Sequence, residues 1–230
     1  MNVLHRMIRG FPPTARLRTL LLQRLYRHRA MRYPTFDLRY HEEIVVHTDY
    51  TRFALVGVAL ERLRSEKISG HLAEVGVYRG ELSRFIHRVD PDRRLYLFDT
   101  FEGFPSQDLE DQGRIDTRFQ DTSVDQVLRT IGDSTNVVIK KGRVPETLAD
   151  LGAEQFAFLL LDLDLYNPTL SSLQFFYPRL TSGAYVLVHD YNSPESHGAC
   201  KRALDEFIVG KPEKVIDVPD VAGTAIFRKL

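Results

Sequence analysis

At 230 residues, with 43% hydrophobic and 27% charged side chains, the chain is long enough for one α/β domain and is neither disordered nor fibrous in composition. The 31 basic and 31 acidic residues balance, so no overall charge indicates nucleic acid as a partner. A single cysteine, Cys200, excludes an internal disulfide, and no apolar run reaches the roughly 20 residues that span a bilayer. These features favour a cytoplasmic protein.

Residues 1–47 are predicted to be a basic extension that precedes the main domain at 48–230. Eight arginines come before the first acidic residue, Asp37, and residues 14–31 have leucines at helical spacing. One interpretation of this amphipathic helix is a surface or subunit-contact helix, which would suit a homo-oligomer. The other is an interfacial helix that rests on anionic lipid, which would make the protein membrane-peripheral.

The main domain is predicted to open with a helix over about 50–66 and then to alternate short apolar strands with helices. This alternation is typical of a parallel sheet with crossover helices, whereas the last two strands are joined by turns and are expected to be antiparallel neighbours. The predicted strands lie near 72–75, 95–98, 136–139, 156–162, 185–188, 214–217 and 224–228.

The loop after the first strand is a candidate cofactor site. Gly76 and Gly80 stand where the chain must turn tightly beneath a ligand, but their spacing is not that of a dinucleotide fingerprint. Glu74 would disfavour a pyrophosphate and could instead accept a hydrogen bond from the ammonium of a bound amino acid. The methionine end of S-adenosylmethionine presents such a group, although two glycines here could also be a simple turn.

The end of the second strand supplies a ribose-binding candidate. Asp99 lies 19 residues after Gly80, close to the interval expected for a carboxylate that grips both ribose hydroxyls. Polar residues in the following loops, Asp121, Thr122, Ser123, Gly142 and Arg143, could border an adenine or could simply be solvated.

Acidic residues follow two further strands and form the candidate catalytic end. Asp162 and Asp164 close the fourth strand, and His189 and Asp190 close the fifth. Ligands of open α/β sheets bind beyond the carboxyl ends of strands, and clustered carboxylates suit Mg²⁺ or a similar cation. Asp164 could alternatively cap the helix that follows it.

Five segments resemble the macrocin O-methyltransferase (TylF-type) family of sugar-modifying enzymes. They read E-V-G-V-Y-R-G at 74–80, D-T-F-E-G-F-P at 99–105, K-G-R-V-P-E-T-L at 141–148, L-D-L-D-L-Y-N-P-T at 161–169 and H-D-Y at 189–191. The resemblance runs from about residue 48 to the C-terminus, and the second segment is the most specific.

The resemblance implies a class I methyltransferase fold: a Rossmann-like, mostly parallel seven-stranded sheet with an antiparallel last strand and helices on both faces. It also implies S-adenosylmethionine as donor, a divalent metal, usually Mg²⁺, and a sugar hydroxyl as acceptor. Tyr78, Thr100 and Phe101 join the cofactor-binding candidates on this ground. The family's metal acids fall on Asp162 and Asp190, and its adjacent acid is replaced here by His189, which departs from Asp-Asp-Tyr.

The predicted function is therefore transfer of a methyl group from S-adenosylmethionine to a hydroxyl of a small-molecule or glycan acceptor. A divalent metal held by Asp162, His189 and Asp190 would assist, and Asp162 or His189 would take the proton. Asp162 is also expected to border the cofactor. The alternatives are a metal-independent methyltransferase on another small acceptor, and a catalytically silent membrane-associated partner with the same fold.

Overall fold

The structure is a computed structural model that describes residue 40 and the ranges 43–44, 47–110, 113 and 115–230. The predicted helix over 14–31 and nearly all of the basic extension lie outside these residues. None of the helices in the described ranges combines the length and apolar character needed to cross a membrane.

Seven strands form one sheet within the described residues. They are β1 (His71–Val75), β2 (Leu95–Asp99), β3 (Val137–Lys141), β4 (Phe156–Leu161), β5 (Leu180–Val188), β6 (Ile216–Val218) and β7 (Thr224–Arg228). Their order across the sheet is β3-β2-β1-β4-β5-β7-β6. The pairs of β7 with β5 and β6 are antiparallel, and the other adjacent pairs are parallel. This confirms the predicted mixed sheet.

Six α-helices cover the two faces of this sheet in the described chain. They are α1 (Tyr50–Ser65), α2 (Glu81–Val89), α3 (Ser106–Glu110), α4 (Val124–Ile131), α5 (Tyr166–Phe176) and α6 (Ala199–Ile208). Side chains alternate between faces along each strand, so Leu72 packs with α1, α2 and α4, whereas Ala73 packs with α5 and α6. Cys200 is buried on the second face.

The predicted strand positions are confirmed, with differences at some ends. The largest is β5, which begins at Leu180 rather than Tyr185. Its first half contains polar and small residues that do not read as a strand. They pair nonetheless because Gly183 N–H donates to the carbonyl of Lys229, and Lys229 N–H donates to Ala184. Pairing of Leu180 with Phe156 of β4, together with these bonds to Lys229, therefore decides this boundary.

Gly76 lets β1 and β4 approach closely at the edge where the candidate residues cluster. Its φ is +91°, and a Cβ built there would lie 1.9 Å from the carbonyl oxygen of Asp162. Asp162 N–H also donates to Val75 O at 2.8 Å, and Gly76 N–H donates to Phe98 O at 2.8 Å. A side chain at 76 would push apart the three strands whose ends form the site.

We expect Gly76→Ala to destabilise the fold by more than 3 kcal/mol or to prevent folding, because it adds a backbone overlap to left-handed strain of about 1 to 2 kcal/mol. Gly210→Ala is the matched control, since Gly210 also has positive φ, at +75°, but nothing within 4 Å of an added Cβ. Urea unfolding measures both. Equal losses in the two variants would contradict the proposed close approach.

Candidate active site

A cavity of about 400 Å³ lies across the carboxyl ends of β1, β2, β4 and β5. It brings together most of the site residues predicted from sequence: Glu74, Gly76, Tyr78, Asp99, Thr100, Gly142, Arg143, Asp162, His189 and Asp190. Parallel strands deliver these residues because their carboxyl ends meet at one edge of the sheet. Gly80, Phe101, Asp121, Thr122 and Ser123 are not among the residues that line this cavity.

Asp99 organises the loop between β1 and α2. Its Oδ2 accepts the backbone N–H groups of Val77 at 2.7 Å and Tyr78 at 3.0 Å, and its Oδ1 accepts that of Phe101 at 2.7 Å. An ionised carboxylate has about four acceptor positions. The Thr100 hydroxyl also lies 3.4 Å from Asp99 Oδ1, but it donates to the Gly103 carbonyl at 2.6 Å. The three backbone donors and this long contact leave room for at most one ligand hydroxyl, fewer than the two ribose hydroxyls expected from sequence.

Glu74 is a buried carboxyl group in the wall of the cavity. The side chain is 2% exposed, and its Oε2 accepts a hydrogen bond from the hydroxyl of Ser83 on α2. Burial raises the pKa of Glu74 to about 8, although the bond from Ser83 acts in the opposite direction. The group is therefore mainly protonated at neutral pH until a cation enters the cavity.

The loops after β1 and β2 are connected by polar contacts around Tyr78. The Tyr78 hydroxyl donates to Asp121 Oδ1 at 2.9 Å, and Thr122 donates to the Tyr78 carbonyl. Ser123 caps α4 by accepting Gln126 N–H at 3.2 Å, and Phe101 is 3% exposed in the apolar core. These residues, which were predicted to bind the cofactor, thus stabilise the loop between β1 and α2 from outside the cavity.

Arg143 is fixed by a buried acid. Its Nε lies 3.0 Å from each carboxylate oxygen of Asp108, and its Nη2 lies 2.6 Å from Asp108 Oδ1. Asp108, on α3, is 1% exposed. This paired contact holds Arg143 and the neighbouring Gly142 against the cavity.

The catalytic end joins Asp162, His189 and Asp190. His189 Nδ1 lies 3.0 Å from Asp162 Oδ1 and 3.1 Å from Asp190 Oδ2. Burial would lower the pKa of His189, but the carboxylates, Asp162 foremost, raise it to about 12. Burial and the facing carboxylate of Asp162 raise the pKa of Asp190. Asp162 and Asp190 both contact Nδ1 of His189, and two neighbouring carboxylates repel each other unless a proton or a cation lies between them. The Nδ1 proton of protonated His189 has that role.

The same three donor atoms fit a divalent cation. Mg²⁺ and similar ions bind ligands at about 2.1 Å in an octahedron, which separates adjacent ligand atoms by about 3.0 Å. The spacing of Nδ1 from the two carboxylate oxygens matches that edge. Two acids and one imidazole suit Mn²⁺ as well as Mg²⁺. His189 therefore offers a donor atom at the position where the resemblance implies an acid.

Arg52, on α1, is a site residue that the sequence analysis missed. Its Nη1 donates to Asp162 Oδ2 at 2.6 Å. Burial would raise the pKa of Asp162, but His189 and Arg52 together hold it well below its ordinary value. Arg52 lies four residues before Val56, on the apolar stripe of α1, and a charged residue on such a stripe is the signal that could have identified it.

Asp164 is buried beside this cluster. Burial raises its pKa to about 7, and the carboxylates of Asp190 and Asp162 act in the same direction. The N-cap of α5 is Leu165, which makes no side-chain capping bond. Asp164 therefore lies in the charged cluster and does not occupy the N-cap position.

The fold and the cavity define the class of protein. A seven-stranded sheet in this order, with helices on both faces and an acid-lined cavity at the carboxyl ends, is the class I, Rossmann-like methyltransferase fold. The chain belongs to the macrocin-O-methyltransferase (TylF) family, whose family model matches residues 43–228. It is therefore an enzyme, an S-adenosylmethionine-dependent O-methyltransferase.

Individual relatives are similar over most of the chain. The 8-demethyl-8-(2,3-dimethoxy-alpha-L-rhamnosyl)-tetracenomycin-C 4'-O-methyltransferase of Streptomyces olivaceus is 26% identical over 185 residues, 73% of this chain and 69% of its own length. The mycinamicin III 3''-O-methyltransferase of Micromonospora griseorubida is 26% identical over 188 residues, 69% and 72% respectively. Among solved structures, the O-methyltransferase NovP matches with a TM-score of 0.66 and 25% identity, over 78% of this chain and 80% of NovP.

We expect Arg52→Gln to reduce the free energy of unfolding by about 2 to 3 kcal/mol in EDTA at pH 7. This loss is smaller than the cost of breaking a fully buried ion pair, because the side chains of Arg52 and Asp162 are both partly exposed. Asp162 has a depressed pKa in the folded state, so the stabilisation is complete above its ordinary value near 3.8 and is lost as the pH falls further.

The control for this variant is Arg62→Gln on the same helix, whose exposed pair with Glu66 should contribute less than about 1 kcal/mol. Urea unfolding of both variants at pH 7 and pH 3 gives the comparison. A loss at pH 7 no larger for Arg52→Gln than for Arg62→Gln would show that the buried contact does not stabilise Asp162.

Proposed function

We propose that this enzyme transfers the methyl group of S-adenosylmethionine to a hydroxyl of a sugar or glycan-type acceptor, with a divalent metal at Asp162, His189 and Asp190. The observation that carries the proposal is that this charged cluster lines the same cavity as Glu74 and Asp99. The similarity to an enzyme named for a rhamnosyl-bearing tetracenomycin supports a sugar acceptor.

The donor is proposed to lie along the ends of β1 and β2. Glu74 binds the ammonium of the methionine part, and the remaining acceptor position of Asp99 binds one ribose hydroxyl. The segment Asp121, Thr122 and Ser123 and the turn Gly142-Arg143 border the adenine. In this orientation the sulfonium methyl group faces Asp162.

The reaction is an in-line displacement. The acceptor oxygen forms a bond to the methyl carbon as the carbon–sulfur bond breaks, and the bond's electron pair remains on sulfur. Holding the two reactants in line can contribute about 7 to 11 kcal/mol. A divalent cation bound at this site would lower the pKa of an acceptor hydroxyl. Asp162 takes the hydroxyl proton, because both ring nitrogens of His189 are already engaged, and Arg52 fixes the orientation of Asp162.

A metal-independent methyltransferase is the second candidate, and the ion pairs of Asp162 favour it. Arg52 and protonated His189 already balance the charge of this carboxylate without an added cation. Chelation distinguishes the two candidates. If the site uses a metal, activity is lost after dialysis against EDTA and returns with Mg²⁺ or Mn²⁺. If it does not, activity survives dialysis.

We expect Asp162→Asn to reduce methyl transfer by about 10² to 10⁴-fold, the range for loss of a general base, while donor affinity stays nearly unchanged. Release of S-adenosylhomocysteine with methyl α-L-rhamnoside or methyl glucoside as acceptor measures transfer, and calorimetry measures donor binding. Asp133→Asn, at the opposite edge of the sheet, is the control. Full activity of Asp162→Asn would refute its role, and methylation of catechol but of neither glycoside would refute a sugar acceptor.

We expect S-adenosylmethionine binding at pH 6.5 to release roughly one proton, because Glu74 has a pKa of about 8 and must ionise to pair with the donor ammonium. Calorimetry in two buffers of different ionisation enthalpy measures this release. Glu74→Gln should release none and bind the donor more weakly, whereas Glu61→Gln, outside the cavity, should behave as the parent. Equal proton release by the parent and Glu74→Gln would contradict the proposed contact.

A further inference from the structure

The two ring nitrogens of His189 face two different groups of acids. Nδ1 faces Asp162 and Asp190, as described above. Nε2 lies 3.5 Å from Oδ2 of Asp49. A ring nitrogen of His189 and one carboxylate oxygen each of Asp49 and Asp220 lie within 4.8 Å of one another. His189 thus connects the candidate metal ligands to a second pair of carboxylates.

This second side of the ring contains buried atoms without hydrogen-bond partners. Both Nε2 of His189 and Oδ1 of Asp220 are buried and unpaired, and His189 is only 7% exposed. A buried polar group without a partner destabilises the fold, so such atoms call for an explanation. One is a nitrogen that can donate and the other is an oxygen that accepts, and they belong to the same cluster.

Asp49 and Asp220 are held in place by contacts outside the site. Asp49 is the N-cap of α1, and its Oδ1 accepts Arg52 N–H at 3.2 Å, which leaves Oδ2 toward His189. Asp220 lies between β6 and β7 and accepts a hydrogen bond from the hydroxyl of Thr224. Each acid therefore uses one oxygen for a local hydrogen bond. Of the other oxygens, Oδ2 of Asp49 lies 3.5 Å from Nε2 of His189 and 3.6 Å from Nε of Arg52, and Oδ1 of Asp220 is buried without a hydrogen-bond partner.

We infer that Asp49 and Asp220 together hold the Nε2 proton of His189 and thereby present Nδ1 to the divalent metal. Metal-binding histidines commonly donate their other ring N–H to a carboxylate, which fixes the tautomer and the ring orientation. Asp49 and Asp220 are positioning residues in this arrangement. The inference rests on the proposed metal-assisted function. It also explains how an imidazole can serve at the position where the resemblance implies an acid, because the negative charge of Asp49 and Asp220 lies on the far side of the imidazole ring from the metal.

Asp49→Asn is the sharpest test because asparagine is also a good N-cap. Its side-chain oxygen can keep the bond to Arg52 N–H, but its amide group then turns a donor toward Nε2 in place of an acceptor. The Nε2 proton should lose its protection, and its slowly exchanging signal in the NMR spectrum of histidine ring nitrogens should disappear. Mn²⁺ affinity, measured by electron paramagnetic resonance, should fall by about 10 to 100-fold.

Asp220→Asn should change both readouts in the same direction, and it leaves the cap of α1 intact. Asp133→Asn should change neither, because that residue precedes β3 at the opposite edge of the sheet. Unchanged donor binding by each variant would show that the fold is retained. An Nε2 signal and a Mn²⁺ affinity that both survive in Asp49→Asn and Asp220→Asn would overturn the inference.

Two further outcomes separate this inference from the proposed function. If the parent protein binds no Mn²⁺ or Mg²⁺, the metal part of the proposed function fails, and the Nε2 signal alone decides whether the two acids hold the ring. If the parent binds a second Mn²⁺ that is lost in Asp220→Asn, the cluster of Asp49, His189 and Asp220 is itself a metal site. That result would also overturn the positioning role.

Discussion

The partly buried charge of Asp162 is the constraint on which the rest of the site depends. A carboxylate at the end of a fully apolar strand has lost most of its contact with water and needs positive charge within contact distance. Arg52 provides it from α1, and His189 provides it from the end of β5. Because these partners come from separate segments, the charge of one side chain links the first helix, which packs on the sheet through Val56 and Leu60, to the centre of the sheet.

The same charge balance relates the proposed metal site to the ion pairs. Asp162 uses Oδ2 for Arg52 and Oδ1 for His189, so a cation near Nδ1 could replace the ring proton without displacing the guanidinium. The replacement of an acid by His189 would weaken a purely oxygen-based Mg²⁺ site. The four carboxylates around the imidazole, at positions 49, 162, 190 and 220, offset that loss of negative charge.

Particular residues show how far prediction from sequence reached. Glu74, Asp99, Asp162, His189 and Asp190 could be predicted as neighbours, because each follows or ends a recognisable apolar strand and parallel strands present their carboxyl ends together. Asp49 could not, and Arg52 is marked in the sequence only as a charged residue on the apolar stripe of α1, because the contact of this helix with the site depends on packing between distant segments. Asp99 was expected to be free for ribose, yet most of its acceptor capacity is taken by backbone N–H groups of two loops.

The sequence by itself determined the order of strands and helices, the mixed sheet and the edge at which the chemistry lies, because hydrophobic periodicity and turn residues act over a few neighbouring positions. Only the tertiary structure decided the length of β5, the ionisation of Glu74 and which acids face each nitrogen of the His189 ring. Those properties depend on burial and on the distances between charges from segments far apart in the chain, which the order of residues does not state.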